Sequence, residues 1–445
     1  MIKLVKEYTS GQNIQIIKDV KSFDAIKLSF KEEVFDLSTK TLYIGGKENY
    51  EVEEILDLFG KIMSFCKQKE IKEATIDVTD FTNEQLQQIV LGLILGSYNV
   101  KAPHHFVCAI SLIVNDTTVD ISQYVNLAQN MNMTKTLSNA PANFVTPQYF
   151  VEYAKKIFKD TKVAVEIFDE EKILDLKMGG LYGVGRGSAN RPVMLKLNYK
   201  PTQDEEVIAL VGKGVTFDTG GYSLKPAAGM ENMRGDMGGA SSMLAVFKTL
   251  VDQNINKNVV AMIPLCENRI DNQAILPGDV ITAYDGTTIE VINTDAEGRL
   301  ILADALSYVV KNEKVKAVFD MATLTGAAAN AFGNTITPIV TNDENLWQKL
   351  QAASQKSGEK FVNIPCFKEH RKMIDSKIAD LKNTGGRVCG IMTSAVFLQH
   401  FVNNTPWIHF DIAGTHHADS PLYAHQQSGT ICGAIETLYY LVKEL

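Results

Sequence analysis

Between Val163 and Phe319, apolar runs of strand length alternate with longer stretches of helical spacing. Val163–Phe168, Val193–Leu197, Val207–Val211, Asn258–Ile263 and Val315–Phe319 are strand candidates, whereas Ala240–Val251 and Ala296–Lys311 pattern as helices. Strands that recur with a helix between them cannot pair as simple hairpins. The alternation therefore predicts an α/β fold with a mixed, mainly parallel sheet flanked by helices on both faces.

At 445 residues the chain exceeds what one average core accommodates. A breaker-rich segment, Asn139-Ala140-Pro141-Ala142-Asn143, follows a helix predicted over Asp120–Leu137 and marks a junction. Upstream of it, helices at Glu51–Lys67 and Asn83–Ser97 and strands at Ala74–Val78 and Phe106–Val114 describe a smaller α/β unit. The expected division is an N-terminal α/β domain over 1–130 and a larger C-terminal domain over 131–445.

Composition removes several function classes. A net charge of −8, with no block of like charges, does not indicate a nucleic-acid binder. The apolar runs fall short of the ~20 residues that a spanning helix needs, so no membrane role is expected. The start, Met1-Ile2-Lys3-Leu4-Val5, lacks an apolar leader. Six cysteines are dispersed with no Cys-x-x-Cys pair, which suits buried thiols in a reducing, cytoplasmic setting. His104 and His105 pattern as loop residues rather than ligands.

The chemistry-bearing residues gather where strands break into glycine. Val207–Gly221, VIALVGKGVTFDTGG, presents Lys213 and Asp218 just past an apolar run, the end of a strand where α/β sheets place their sites. Neither Gly-x4-Gly-Lys-Ser/Thr nor a helix-opening Gly-x-Gly-x-x-Gly is present, which weakens a phosphate-cradle reading. Tyr222–Ala240 adds Lys225, Arg234 and Asp236. Val291–Leu300, VINTDAEGRL, spaces Asp295, Glu297 and Arg299 at alternate positions, which in an extended segment would face one side. Four carboxylates on one surface need compensation, and divalent cations are a natural source of it. The residues alone leave a solvated charged loop equally open.

At this point the motifs resemble the leucine aminopeptidase family, the hexameric cytosol aminopeptidases that use two metal ions. Asn293–Leu300, NTDAEGRL, is similar to that family's signature over its whole length. GKGVTFDTGGYSLKP (Gly212–Pro226), MRGDMGGA (Met233–Ala240), ATLTGA (Ala322–Ala327) and WIHFDIAGT (Trp407–Thr415) resemble further blocks in the same order. The likeness runs from the junction to the C-terminus and is looser in the N-terminal domain.

The resemblance implies a hydrolase that releases N-terminal residues from peptides, with leucine and similar apolar residues preferred. Metal-bound water would attack the scissile carbonyl. It implies two divalent ions per subunit, Zn or Mn with Mg or Co in one site, held by Lys213, Asp218, Asp236, Asp295 and Glu297. Asp218 and Glu297 would bridge the two ions. Lys225 and Arg299 would be the catalytic residues, with bicarbonate at Arg299. Met233, Thr323 and Ala395 fall where the family lines its first subsite, and Leu324 and Gly326 where it bonds the substrate backbone. A homohexamer is implied on the same ground. Cys389 and Cys432 stand where relatives commonly have glycine, and Met392-Thr393-Ser394 replaces a run of small residues. His409 fits a buried structural histidine. The alternatives are a two-metal phosphoesterase, which would not need a free substrate amine, and a non-catalytic binding protein that keeps the fold.

Overall fold

The computed structural model describes residues 2–17, 28–36, 39, 41–100 and 107–445. These form two compact units, Met1–Asn132 with Asp419–Ser428, and Met133–Ala418 with Gly429–Leu445. His104, His105 and the start of the strand expected at Phe106–Val114 lie outside the described residues.

In the first unit, a six-stranded sheet runs in the order Ile2–Val5, Ala109–Ile113, Glu73–Asp77, Gln12–Ile17, Thr41–Gly45 and Glu33–Asp36. All neighbours are parallel except the last pair, which is antiparallel. The helices Val52–Gln68 and Leu86–Gly96 bury Ile55, Leu58, Phe59, Ile62, Ile89 and Leu93 into one core with Ile14, Leu42, Ile76 and Leu112 of the sheet.

The second unit is built on a nine-stranded sheet. Its strands are β1 (Val163–Phe168), β2 (Val193–Tyr199), β3 (Glu206–Gly212), β4 (Gly214–Asp218), β5 (Val259–Asn268), β6 (Lys314–Ala322), β7 (Ile336–Thr341), β8 (Lys360–Asn363) and β9 (Trp407–Asp411). The order is β8-β7-β9-β6-β3-β5-β2-β1, with β4 paired to β5. The centre, β9-β6-β3-β5, is parallel, and the antiparallel pairs lie toward the margins. The sheet is thus mixed and mainly parallel, with each expected strand present within a few residues of its limits.

Burial on both faces explains why these strands read as continuous apolar runs rather than alternating ones. In β3, Val207, Ala209 and Val211 join a core with Leu300, Leu302, Ala303 and Leu306 of α2 (Gly298–Asn312). Ile208 and Leu210 are buried from the opposite side, where α1 (Gly238–Asp252) packs with Met243, Leu244 and Phe247. Two shorter helices, α3 (Gly326–Phe332) and α4 (Gly390–His400), complete the elements that matter for the site.

His409 is fully buried on β9, its Nδ1 2.6 Å from Asp320 Oδ1, while Trp407 Nε1 donates to Asp320 Oδ2 at 2.5 Å. Asp320 therefore satisfies two buried ring nitrogens in the middle of the sheet. Cys389 and Cys432 adopt φ of 57° and 65°, the left-handed region that favours glycine, which accounts physically for glycine at such positions. Replacing Asp320 by alanine should strip both rings of their partner and cost roughly 2–5 kcal/mol. An apparent melting temperature several degrees below wild type is the expected result; an unchanged melt would mean the pair is not structural.

Candidate metal centre

The sheet topology delivers the charged residues to one edge. Lys213 follows β3, Asp218 ends β4, Asn268 ends β5, Thr323 follows β6 and Asp411 ends β9. These are the carboxyl ends of parallel strands, where the backbone leaves the sheet and side chains are free to converge. Asp236 precedes α1, and Glu297 immediately precedes α2.

Asp295, Glu297 and Arg299 do not sit on an extended segment, as their alternate spacing suggested. Asp295 lies in a turn, Glu297 has helical φ and ψ of −77° and −36°, and Arg299 is inside α2. They reach the same cavity because the chain turns there, not because it is straight. A side chain at Gly298 would come within 2.5 Å of Lys213 Cε, so glycine at that position leaves room for the lysine.

Oxygens of Asp218, Asp236 and Glu297 lie within 4.8 Å of one another, and all three residues are buried. Two lysines pair with these carboxylates and with Asp295. Lys213 Nζ is 2.7 Å from Asp236 Oδ1 and 2.8 Å from Glu297 Oε1, and donates to the Thr323 carbonyl at 2.9 Å. Lys225 Nζ is 2.8 Å from Asp218 Oδ2 and 2.6 Å from Asp295 Oδ1. Burial and mutual repulsion push the Asp218 carboxyl up to about 6 and Asp236 well above its ordinary value. Burial opposes the charge on both lysines, but the surrounding carboxylates outweigh it and hold their pKa values above the usual amine range.

This cage of oxygens suits divalent cations. Asp236 Oδ2 and Glu297 Oε2 are buried with no hydrogen-bond partner in the protein, and carboxylate oxygens are the donors that such ions take. Lys213 could donate to a metal only as the neutral amine, and without metal the neighbouring carboxylates favour its cation instead.

Arg299 is buried and donates from Nη1 to the Asn383 carbonyl at 2.8 Å, while its Nε has no partner in the protein. Burial lowers its pKa to about 10. Met233, Thr323, Leu324 and Gly326 all line the same cavity of about 540 Å³. Ala395 does not: it is fully buried in the core on α4, and the cavity is faced by Gly390 and Thr393 of that helix instead. A helix shows only one face to a cleft, and spacing within a motif did not reveal which.

Several supporting residues escaped the sequence reading. Asn268 donates from Nδ2 to Asp218 Oδ1 at 2.8 Å and to the Thr294 carbonyl at 3.0 Å, tying two loops together. Asn383 Oδ1 accepts from the Ile292 and Asn293 amides. Asp411 accepts from the Leu324 and Thr325 amides and from the Thr325 hydroxyl, fixing the loop after β6. Asn268 was accessible in principle as a polar residue ending a long apolar strand. Asn383 offered no comparable signal.

Residues 132–439 match the model of the cytosol aminopeptidase family, catalytic domain. A probable cytosol aminopeptidase of Clostridium perfringens is 35% identical, with 99% of this chain and 95% of that protein covered. A probable cytosol aminopeptidase of Alkaliphilus oremlandii is 41% identical over 72% of this chain and 64% of its own length. Among solved structures, the bottromycin maturation enzyme BotP in complex with Mn superposes with a TM-score of 0.89 at 27% identity, covering 98% of this chain and 99% of that one. The cytosol aminopeptidase from Coxiella burnetii gives 0.86 at 26% identity over 100% of this chain and 99% of that one.

If Lys213 compensates the buried carboxylates, Lys213→Met should destabilise the metal-free protein by about 3–5 kcal/mol. Melting in the presence of a chelator checks this, and a curve identical to wild type would show that the charge is balanced elsewhere.

Proposed function

The chain belongs to the cytosol aminopeptidase family and is a metal-dependent aminopeptidase, and we propose that it releases N-terminal leucine and similar apolar residues from peptides. The observation that carries this reading is the buried carboxylate cluster with two oxygens unpartnered in the protein, in a cavity that Met233 and Leu324 also line. Its members suit two divalent ions. Asp218 and Glu297 would serve both, Lys213 and Asp236 would complete one site, and Asp295 the other. Manganese or zinc, with magnesium or cobalt as an occupant of one site, fits the mixed oxygen and amine donors. When bound, such ions supply Lewis-acid activation of water and of the scissile carbonyl, and an anchor for the free α-amine.

The protein's own groups divide the remaining work. Lys225, held between Asp218 and Asp295, keeps its proton and places a fixed positive charge beside the oxygen on which negative charge develops. Arg299, with Nε unpartnered and Nη1 pinned to Asn383, is oriented to hold a small anion such as bicarbonate. The loop carrying Leu324 and Gly326, braced by Asp411, would bond the substrate backbone. Met233 and Thr323 give a wall suited to a branched apolar side chain. The family likeness further supports a homohexamer acting on peptides in the cytoplasm. Among the described residues no helix is long and apolar enough to cross a membrane.

With leucine-p-nitroanilide as substrate and Mn²⁺ or Zn²⁺ added, Lys225→Ala should lower kcat about 100-fold or more with a much smaller change in KM. Acetyl-leucine-p-nitroanilide should not be cleaved by wild type. Equal activity in wild type and variant removes Lys225 from catalysis, and turnover of the blocked substrate contradicts capture of the free amine.

A further inference from the structure

His416 has no role in the site as described, yet it lines the same cavity. Its backbone is fixed: the amide donates to the Ile412 carbonyl at 2.9 Å, and its own carbonyl accepts from the Ile431 amide at 2.8 Å. The imidazole lies against Gly238, where a Cβ would come within 2.5 Å of Cδ2 and 2.6 Å of Nε2. Glycine at the start of α1 is therefore what allows the ring into this place.

The side chain is 1% exposed, and neither Nδ1 nor Nε2 has a hydrogen-bond partner in the protein. Leaving a buried polar group unpaired costs about 1–3 kcal/mol, so a ring with both nitrogens free of protein partners is poised for a partner that arrives with ligand. The ring nitrogens fall outside the cluster formed by Asp218, Asp236 and Glu297, which argues against an additional metal ligand. Met233, Asp236 and Thr323 line the same cavity, and Met233 and Thr323 are the wall assigned above to the first substrate residue.

We propose that His416 is a specificity-determining residue that hydrogen-bonds an uncharged amide or hydroxyl side chain on the N-terminal residue of the substrate. This deepens the aminopeptidase reading and rests on it. Asparagine is the most informative case, because its side chain branches like that of leucine and differs by carrying one acceptor and one donor. A cavity that takes leucine would also admit it, and a neutral imidazole can offer the amide either its N–H or its lone pair. Burial, with His417 acting in the same direction, lowers the pKa of His416 to about 3 and keeps the ring neutral near pH 7. A site that hydrogen-bonds a polar substrate discriminates through the groups left unpaired when the wrong residue binds.

The test compares kcat/KM for asparagine-p-nitroanilide and leucine-p-nitroanilide in metal-loaded wild type, His416→Phe and His416→Gln, alongside calorimetric binding of free L-asparagine and L-leucine. Loss of one hydrogen bond should lower the asparagine-to-leucine ratio roughly 5- to 10-fold in His416→Phe. The glutamine variant, which keeps a donor and an acceptor, should hold the ratio within about 2-fold of wild type. Should the phenylalanine variant fail to fold, His416→Leu makes the same comparison. An unchanged ratio, or an equal loss on both substrates, overturns the proposal. Failure of wild type to cleave either substrate would count against the aminopeptidase reading instead, and the two binding constants would then decide the role of His416.

Discussion

Carboxylates crowded into a low-dielectric interior repel one another and lose their hydration, and the second unit is arranged around answering that cost. Asp218, Asp236 and Glu297 bring oxygens within 4.8 Å of each other while buried. Lys213 bridges Asp236 and Glu297, and Lys225 bridges Asp218 and Asp295, at ion-pair distances. The parallel strands matter because only their carboxyl ends can supply residues from β3, β4, β5, β6 and β9 to one edge. The glycine at 298 follows from the same requirement, since a side chain there would displace Lys213.

A cluster balanced by its own lysines and one balanced by metal are different electrostatic states of the same residues. In the absence of metal the carboxylates favour the Lys213 cation, whereas a dication bound there would replace that charge and would need the neutral amine. Lys225 has no such exchange to make. It is partly exposed at the cavity wall, paired with Asp218, and in the proposed mechanism its charge faces the developing oxyanion. The two lysines differ in burial more than in chemistry, and burial is what separates their proposed roles.

Much of this is legible in the sequence. Buried parallel strands announce themselves as continuous apolar runs, so the sheet was readable from Val207–Val211 and its neighbours, and the breaks into glycine located the strand ends. The candidate metal-centre residues follow from those breaks and from motif resemblance. What failed was direction rather than position. Asp295, Glu297 and Arg299 converge through a turn into a helix, not along a strand, and Ala395 faces the core because α4 presents Gly390 and Thr393 to the cavity. Asn383 and His416 were invisible because their importance comes from contacts with chain far away in sequence, with Asn293 and Gly238 respectively.

We propose that the carboxylates and lysines between Lys213 and Glu297 form a centre for two divalent cations. Elemental analysis of the purified protein, after reconstitution with Mn²⁺ or Zn²⁺ and removal of loosely bound ion, measures this directly. About two metal ions per chain is the predicted result. A protein that retains none, while still folded, would contradict it.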